Sequence, residues 1–315
     1  MKSRLLVGLI LFVFFVISFL TNIIGPLVPD IINAFNLSLS MAAFLPFSFF
    51  LAYGVMSIPS GFLVEYIGEK KVMILAFFLS AFGALSFSIN PNYLLYILSL
   101  FLIGSGMAML QVSINPLLRH IGGKKEFAFN SVLGQLFFGL ASFISPLIYS
   151  FLIISLSTGS ESSNYIILFF KKFTSPDLRW VSLYWIFALV SFLMCIILVF
   201  TNFPEKKNPV KENKEKLNTY MMIIKNPIVI LYFFGVFSYV GLEQGIANLF
   251  SKFLEMYHSI DPQILDAKII SYIWGLMNLG ALTGLFLLKL IDSRKILIFF
   301  TSASIISFLT AVFGP

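Results

Sequence analysis

Nine times along this chain an apolar run recurs at about the length a helix needs to cross the hydrocarbon core of a bilayer, roughly 20 residues. The runs fall near Leu5–Leu27, Met41–Val64, Val72–Ile89, Tyr93–Leu117, Phe127–Leu152, Val181–Phe200, Ile228–Phe253, Ile269–Leu290 and Ile296–Phe313. Within hydrocarbon a helix satisfies every backbone N–H and C=O internally, which an open strand cannot do. Strands of a membrane barrel would alternate apolar and polar residues, and none of these runs does. The expected fold class is therefore an all-α polytopic membrane protein. Composition agrees: 59% of the residues are hydrophobic and 11% charged, too little charge to cover a water-soluble surface of 315 residues. Thirty-eight Phe suit a lipid-facing exterior. The single Cys195 lies inside an apolar run, which excludes a disulfide framework and a Cys-based metal site. Leu5 to Leu20 has the length of a signal-peptide core, but no small-residue cleavage site follows, so the run reads as a retained first helix.

The net charge of +7 would suit a nucleic-acid partner if the cations were clustered on one surface. Instead they occupy the short gaps between apolar runs. Lys2, Arg4, Lys70, Lys71, Arg119, Lys124, Lys125 and the lysines between residues 206 and 225 fall on one side. Fewer, including Lys171, Lys172 and Arg179, fall on the other. The positive-inside bias predicts a cytoplasmic N-terminus in a bacterial-type inner membrane, with the lipid bilayer as partner and no nucleic acid.

Residues 201–226 are hydrophilic and contain Pro204 and Pro209, which reads as a cytoplasmic linker. It separates an N-terminal six-helix bundle, residues 1–200, from three helices of a partial second bundle, residues 227–315. Six plus a linker plus three looks like an interrupted six-plus-six, so nine predicted helices are expected to be a chain truncated from twelve. Between runs five and six, the apolar piece Tyr165 to Phe170 is too short to span and is expected at the interface or across the helix ends.

Between the second and third runs stands Gly61-Phe62-Leu63-Val64-Glu65-Tyr66-Ile67-Gly68-Glu69-Lys70-Lys71. Gly61 would allow close helix approach, Glu65 would cap the turn, Gly68 would permit a tight bend, and Lys70 and Lys71 would fix topology. A weaker echo ends the eighth run, with Gly280, Gly284 and then Asp292-Ser293-Arg294-Lys295. Small residues and loop charges serve helix packing in any membrane protein. Their repetition at equivalent places in two halves is more particular. The first stretch resembles the signature of the major facilitator superfamily, with Glu65 in place of the usual Asp. The resemblance implies two parallel six-helix halves, the repeat for which that superfamily is the standard example.

In run four, Gln111 and Asn115 lie one turn apart, followed by Pro116. The sequence Leu110-Gln111-Val112-Ser113-Ile114-Asn115-Pro116 resembles the fucose–galactose–glucose symporter family within that superfamily, in its glucose-type form. So do Tyr239-Val240-Gly241-Leu242-Glu243 in run seven and Trp274-Gly275 before Gly280 and Gly284 in run eight. Two departures matter. Where the family carries Asn-Asp in the first span this chain has Ile24-Gly25-Pro26, and fucose-type members have Glu at the place of Gln111. The proton coupling those acids imply in relatives therefore does not carry over.

Glu243 lies near the middle of its run, and an ionisable group there is by default a functional candidate. Tyr239 is one turn before it, and Gln244 and Asn248 share the same spacing. Trp274 and Asn278 form a further one-turn pair; an indole face can stack on a hexose while amides take its hydroxyls. Each pair also has a plain structural reading as a helix contact. The expected function is secondary active uptake of a small neutral sugar by alternating access. Gln111, Asn115, Gln244, Asn248, Trp274 and Asn278 are the candidate sugar-binding residues, with Glu243 and Tyr239 for ion coupling. Na⁺ is favoured over H⁺ as the coupling ion, and no other cofactor is expected. Export of an amphipathic compound, or a non-transporting receptor or assembly subunit, are the alternatives. No paired carboxylate, metal-ligand cluster or Walker-type loop points to an enzyme. Asp30, His120, Lys252 and His258 fall near run ends and read as solvated or interfacial.

Overall fold

The computed structural model describes the chain apart from residues 1, 124–125, 158–164, 204–221, 223–224, 260–266, 288–289 and 314–315. Most of the expected linker, 201–226, lies outside the described residues. Among the described residues eleven α-helices follow one another: α1 (Lys2–Asn22), α2 (Ile24–Phe35), α3 (Leu39–Ile67), α4 (Glu69–Ile89), α5 (Tyr93–Gly122), α6 (Phe127–Ser157), α7 (Tyr165–Phe173), α8 (Ser182–Phe200), α9 (Pro227–His258), α10 (Ala267–Leu287) and α11 (Ser293–Phe313). A 3-10 turn, Pro176–Val181, leads into α8. No strand occurs among the described residues.

Seven described segments are long and apolar enough to cross a membrane, from Arg4–Phe35 to Pro227–Ile246. α10 and α11, 21 residues each, stand where the eighth and ninth spans are expected. The first span is a broken helix. α1 ends at Asn22 and α2 restarts at Ile24, with Pro26 and Pro29 close behind. Proline has no N–H, so the carbonyl four residues before each loses its helical donor, which explains the break. Side chains satisfy other helix ends. Ser38 Oγ accepts the Met41 N–H at 3.2 Å, and Asn92 Oδ1 accepts the Leu95 N–H at 2.9 Å.

α5 is the hub of the first bundle, packed between α3 and α4. Backbones approach closely there because glycine removes the side chain. A carbon at the Cβ position of Gly104 would overlap the Phe49 carbonyl, and one at Gly106 would come within 2.6 Å of the Ala76 carbonyl oxygen. α1 packs on α6 and α5, and α8 on α4. Buried hydroxyls turn back onto their own helices: Ser80, Ser88, Ser105 and Ser113 each donate to the carbonyl four residues earlier.

One end of this bundle is closed by aromatics. Trp180 of the 3-10 turn stacks on Phe87 and meets Phe35, Tyr96 and Tyr184 edge-on. The hydroxyls of Tyr96 and Tyr184, both fully buried, bond at 2.7 Å. α7 is the short apolar piece expected across the helix ends; it packs on α6, and its Phe173 ring lies 5.9 Å from that of Trp185. The helices after the linker touch the first bundle along two seams, α2 with α9 and α6 with α10.

Candidate functional site

The loop signature is built as a helix–turn–helix. α3 stops because Gly68 takes φ +86°, a value costly to any residue with a Cβ, and its N–H closes the last turn on the Val64 carbonyl at 3.1 Å. Glu69 then opens α4. Lys70 Nζ donates to the Val199 carbonyl at 3.0 Å. It thereby reaches the last turn of α8, where the orphan carbonyls and the negative helix end favour a cation. Lys71 is exposed beside it. No described residue packs closely on Gly61: a Cβ there would meet nothing within 4 Å, and the same holds for Gly280 and Gly284. Close approaches fall instead at Gly83 of α4, at Gly104 and Gly106 of α5 and at Gly139 of α6, where a neighbouring helix passes directly against the glycine.

Gln111 and Asn115 lie on α5 as expected, the first half-buried and the second exposed, and neither makes a side-chain hydrogen bond among the described residues. Pro116 is accommodated inside the helix, which runs on to Gly122. Glu243 stands midway along α9, half-buried, and the Tyr239 hydroxyl donates to its carboxylate. Tyr239 itself is 62% exposed. Gln244 is half-buried and already engaged; the side chain of Asn248, on the same helix, lies outside the described residues.

Trp274 is buried, and its indole N–H has no acceptor among the described residues. Asn278 is committed elsewhere. Its Nδ2 donates to the Trp274 carbonyl at 2.7 Å, and its amide fills the space above Gly139 of α6. That position makes Asn278 part of the seam between α6 and α10.

Two polar groupings emerge that the sequence reading does not single out. Ser18, Asn22 and Ser142 form a buried cluster between α1 and α6: the two hydroxyls bond at 2.7 Å, and Asn22 Nδ2 donates to them at 3.1 and 2.9 Å. It lies at the break in the first span. A signal is present in the sequence, since Ser18 and Asn22 are one turn apart just before Pro26. Asp30, expected at a solvated edge, is half-buried and accepts from the buried Tyr149 hydroxyl of α6. The broken first span turns it toward α6 instead of water.

A helical bundle with a broken first span, a glycine-turned signature loop and a second set of spans defines a polytopic integral membrane protein. The family model of the Major Facilitator Superfamily matches residues 10–315, and the chain belongs to that family. Among curated relatives, a glucose/galactose transporter of Brucella abortus is 26% identical over 304 residues, covering 93% of this chain and 69% of the relative. Among solved structures, the Escherichia coli fucose:proton symporter aligns with a TM-score of 0.68 at 20% identity, over 94% of this chain and 74% of that one. A bacterial homologue of the human lysosomal transporter Spinster, solved inward-facing and unoccupied, aligns with a TM-score of 0.73 at 14% identity, over 93% and 64%. These relatives carry the names of transporters, not of enzymes.

Proposed function

We propose that this protein takes up a neutral hexose by alternating access, coupled to a cation through Glu243. The observation that carries the reading is the likeness to a glucose/galactose transporter along nearly the whole chain, 93% of it. The residues suit such a cargo. Among the described residues Gln111 and Asn115 on α5 have uncommitted amides and Trp274 offers a buried N–H without an acceptor. Gln244 and Asn248 on α9 extend the set. A site built for hydroxyls needs donors and acceptors of this kind, each worth about 1–3 kcal/mol when its partner is lost. Asn278 is left out of this proposed set because its side chain is seated against Gly139 of α6, with one amide proton bonded to the Trp274 carbonyl.

Glu243 is the acid placed mid-span, and with Tyr239 beside it the pair can hold a proton or a hard cation. The missing acids of the first half point to Na⁺, but neither the contacts of Glu243 nor the names of the relatives favour it. The ion named among them is the proton of the fucose symporter. The first bundle would sit with its N-terminus cytoplasmic, the linker being on the same side.

The test is hexose counterflow with the purified protein in sealed proteoliposomes. Exchange of labelled glucose or galactose that Gln111→Ala weakens at least tenfold is the expected result. An absence of exchange for every hexose tried, with intact folding, removes the reading.

A further inference from the structure

The two halves meet along α6 and α10 in an unusually intimate way. Asn278 of α10 points its amide into a notch made by Gly139 of α6, which is buried. The fit leaves no spare room: a single carbon at the Cβ position of Gly139 would overlap Oδ1, Cγ and Nδ2 of Asn278 together. The amide cannot easily swing away either, because its Nδ2 is tied to the Trp274 carbonyl one turn earlier on its own helix. Three residues before Asn278, Gly275 faces Phe143 of α6, where an added Cβ would stand 3.1 Å from the ring. Both helices therefore touch through small residues on one side and a fixed side chain on the other. Gly139 lies 13 residues into the 31-residue α6, and Asn278 lies 12 residues into the 21-residue α10, so the contact is near the middle of both spans.

A contact at mid-span changes least when two bundles rock, whereas contacts at the span ends open and close. The other seam, α2 with α9, involves the half of the first span beyond its break. We propose that Gly139 and Asn278 are positioning residues for transport: the notch and the side chain seated in it set the separation of the halves at the contact about which they rock. The inference rests on the transporter reading above. Filling the notch spreads the helices at mid-span and disfavours one of the two orientations, while leaving each half internally packed. Emptying it from the other side restores room.

Four proteins test this: wild type, Gly139→Ala, Asn278→Ala and the double variant, all read by hexose counterflow. Gly139→Ala is expected to slow exchange at least tenfold with hexose affinity changed less than threefold. Asn278→Ala alone, which leaves the notch without its side chain, is expected to slow exchange by about three- to tenfold, less than Gly139→Ala, with hexose affinity changed less than threefold. The double variant should recover at least half of the wild-type rate, because the added methyl then occupies the space of the missing amide. Rescue also answers the concern that Gly139→Ala merely unfolds the protein. Wild-type exchange by Gly139→Ala, or a double variant as slow as the single, overturns the proposal. Loss of hexose binding by Asn278→Ala also overturns it, by returning this residue to the sugar site.

A second reading separates failure of the pivot from failure of the cargo assignment. In a Cys195→Ala background, His120→Cys at the exposed end of α5 reports access to that side of the bundle through an impermeant thiol reagent. Gly139→Ala should shift its labelling rate at least threefold, and the double variant should shift it back, whatever the cargo. Equal labelling in all four backgrounds contradicts the pivot even if hexose flux is never seen.

Discussion

The helices before the linker and those after it differ in burial although both are predominantly apolar. In α5, fifteen residues are buried, among them Gly104, Gly106 and Met107. α9 is exposed from Pro227 to Leu242 without interruption, and its buried leucine is Leu254, near the far end. Lipid is as apolar as leucine, so hydrophobicity alone gives two membrane helices no reason to associate. Close approach and polar contacts supply the reason, and they are distributed unevenly here. The first bundle has Gly104 against Phe49, Gly106 against Ala76, and the Ser18–Asn22–Ser142 cluster. In α9 and α10, a Cβ added at Gly235, Gly241, Gly245, Gly280 or Gly284 would meet nothing within 4 Å. The order of helices explains part of the contrast. In the first half, α1, α3 and α4 lean mainly on α5, α6 and α8 and little on one another. α9, α10 and α11 likewise lean little on one another.

The sharpest way to break this comparison is a paired glycine substitution. Gly106→Leu should destabilise the protein by at least about 3 kcal/mol, because the new side chain has the Ala76 carbonyl and Ser80 in its way. Gly280→Leu, on an open face, should change stability by less than about 0.5 kcal/mol. Unfolding of the purified proteins in micelles measures both, and equal costs would mean that the two regions are packed alike.

A smaller effect is expected from polar pairs. Asn22→Ala removes one hydrogen bond within α1, to Ser18, and one across to Ser142 of α6, and should cost about 1 kcal/mol, in the range found for such bonds within membranes. Thr283→Ala removes a bond that an exposed hydroxyl makes to the Gly280 carbonyl of its own helix, and should cost less than about 0.5 kcal/mol in the same unfolding experiment. The smallest stability effect belongs to Tyr239→Phe. Its ring is 62% exposed, so the unfolding midpoint should not move, while ion-driven uptake should fall because Glu243 loses its donor. A shift in midpoint without a change in uptake would make Tyr239 a packing residue.

Much of this is legible in the sequence. The length and spacing of the apolar runs give the spans, since backbone satisfaction in lipid leaves few alternatives. Gly68 is readable as the turn because a positive φ there calls for glycine. Pairing across helices is what escapes. Gly61 and Gly139 look alike in sequence, yet one faces open space and the other receives Asn278. Nothing local to either position tells which neighbour will face it. Asp30 eludes the sequence for the same reason: its distance along the chain places it at an edge, but the proline-broken first span brings it to Tyr149. Trp274 and Asn278 share one turn, so the sequence treats them as a pair with one role. The structure separates them, the indole N–H without an acceptor among the described residues and the amide locked into the seam.

The central claim is hexose uptake coupled through Glu243, and uphill accumulation in proteoliposomes tests it most directly. Wild type and Glu243→Gln are compared under a pH gradient alone, a Na⁺ gradient alone, and neither. The account predicts that one of the two gradients drives wild type to concentrate hexose, and that Glu243→Gln exchanges hexose at equilibrium but no longer concentrates it. Full accumulation by Glu243→Gln under the same gradient would contradict it and leave Glu243 a structural partner of Tyr239.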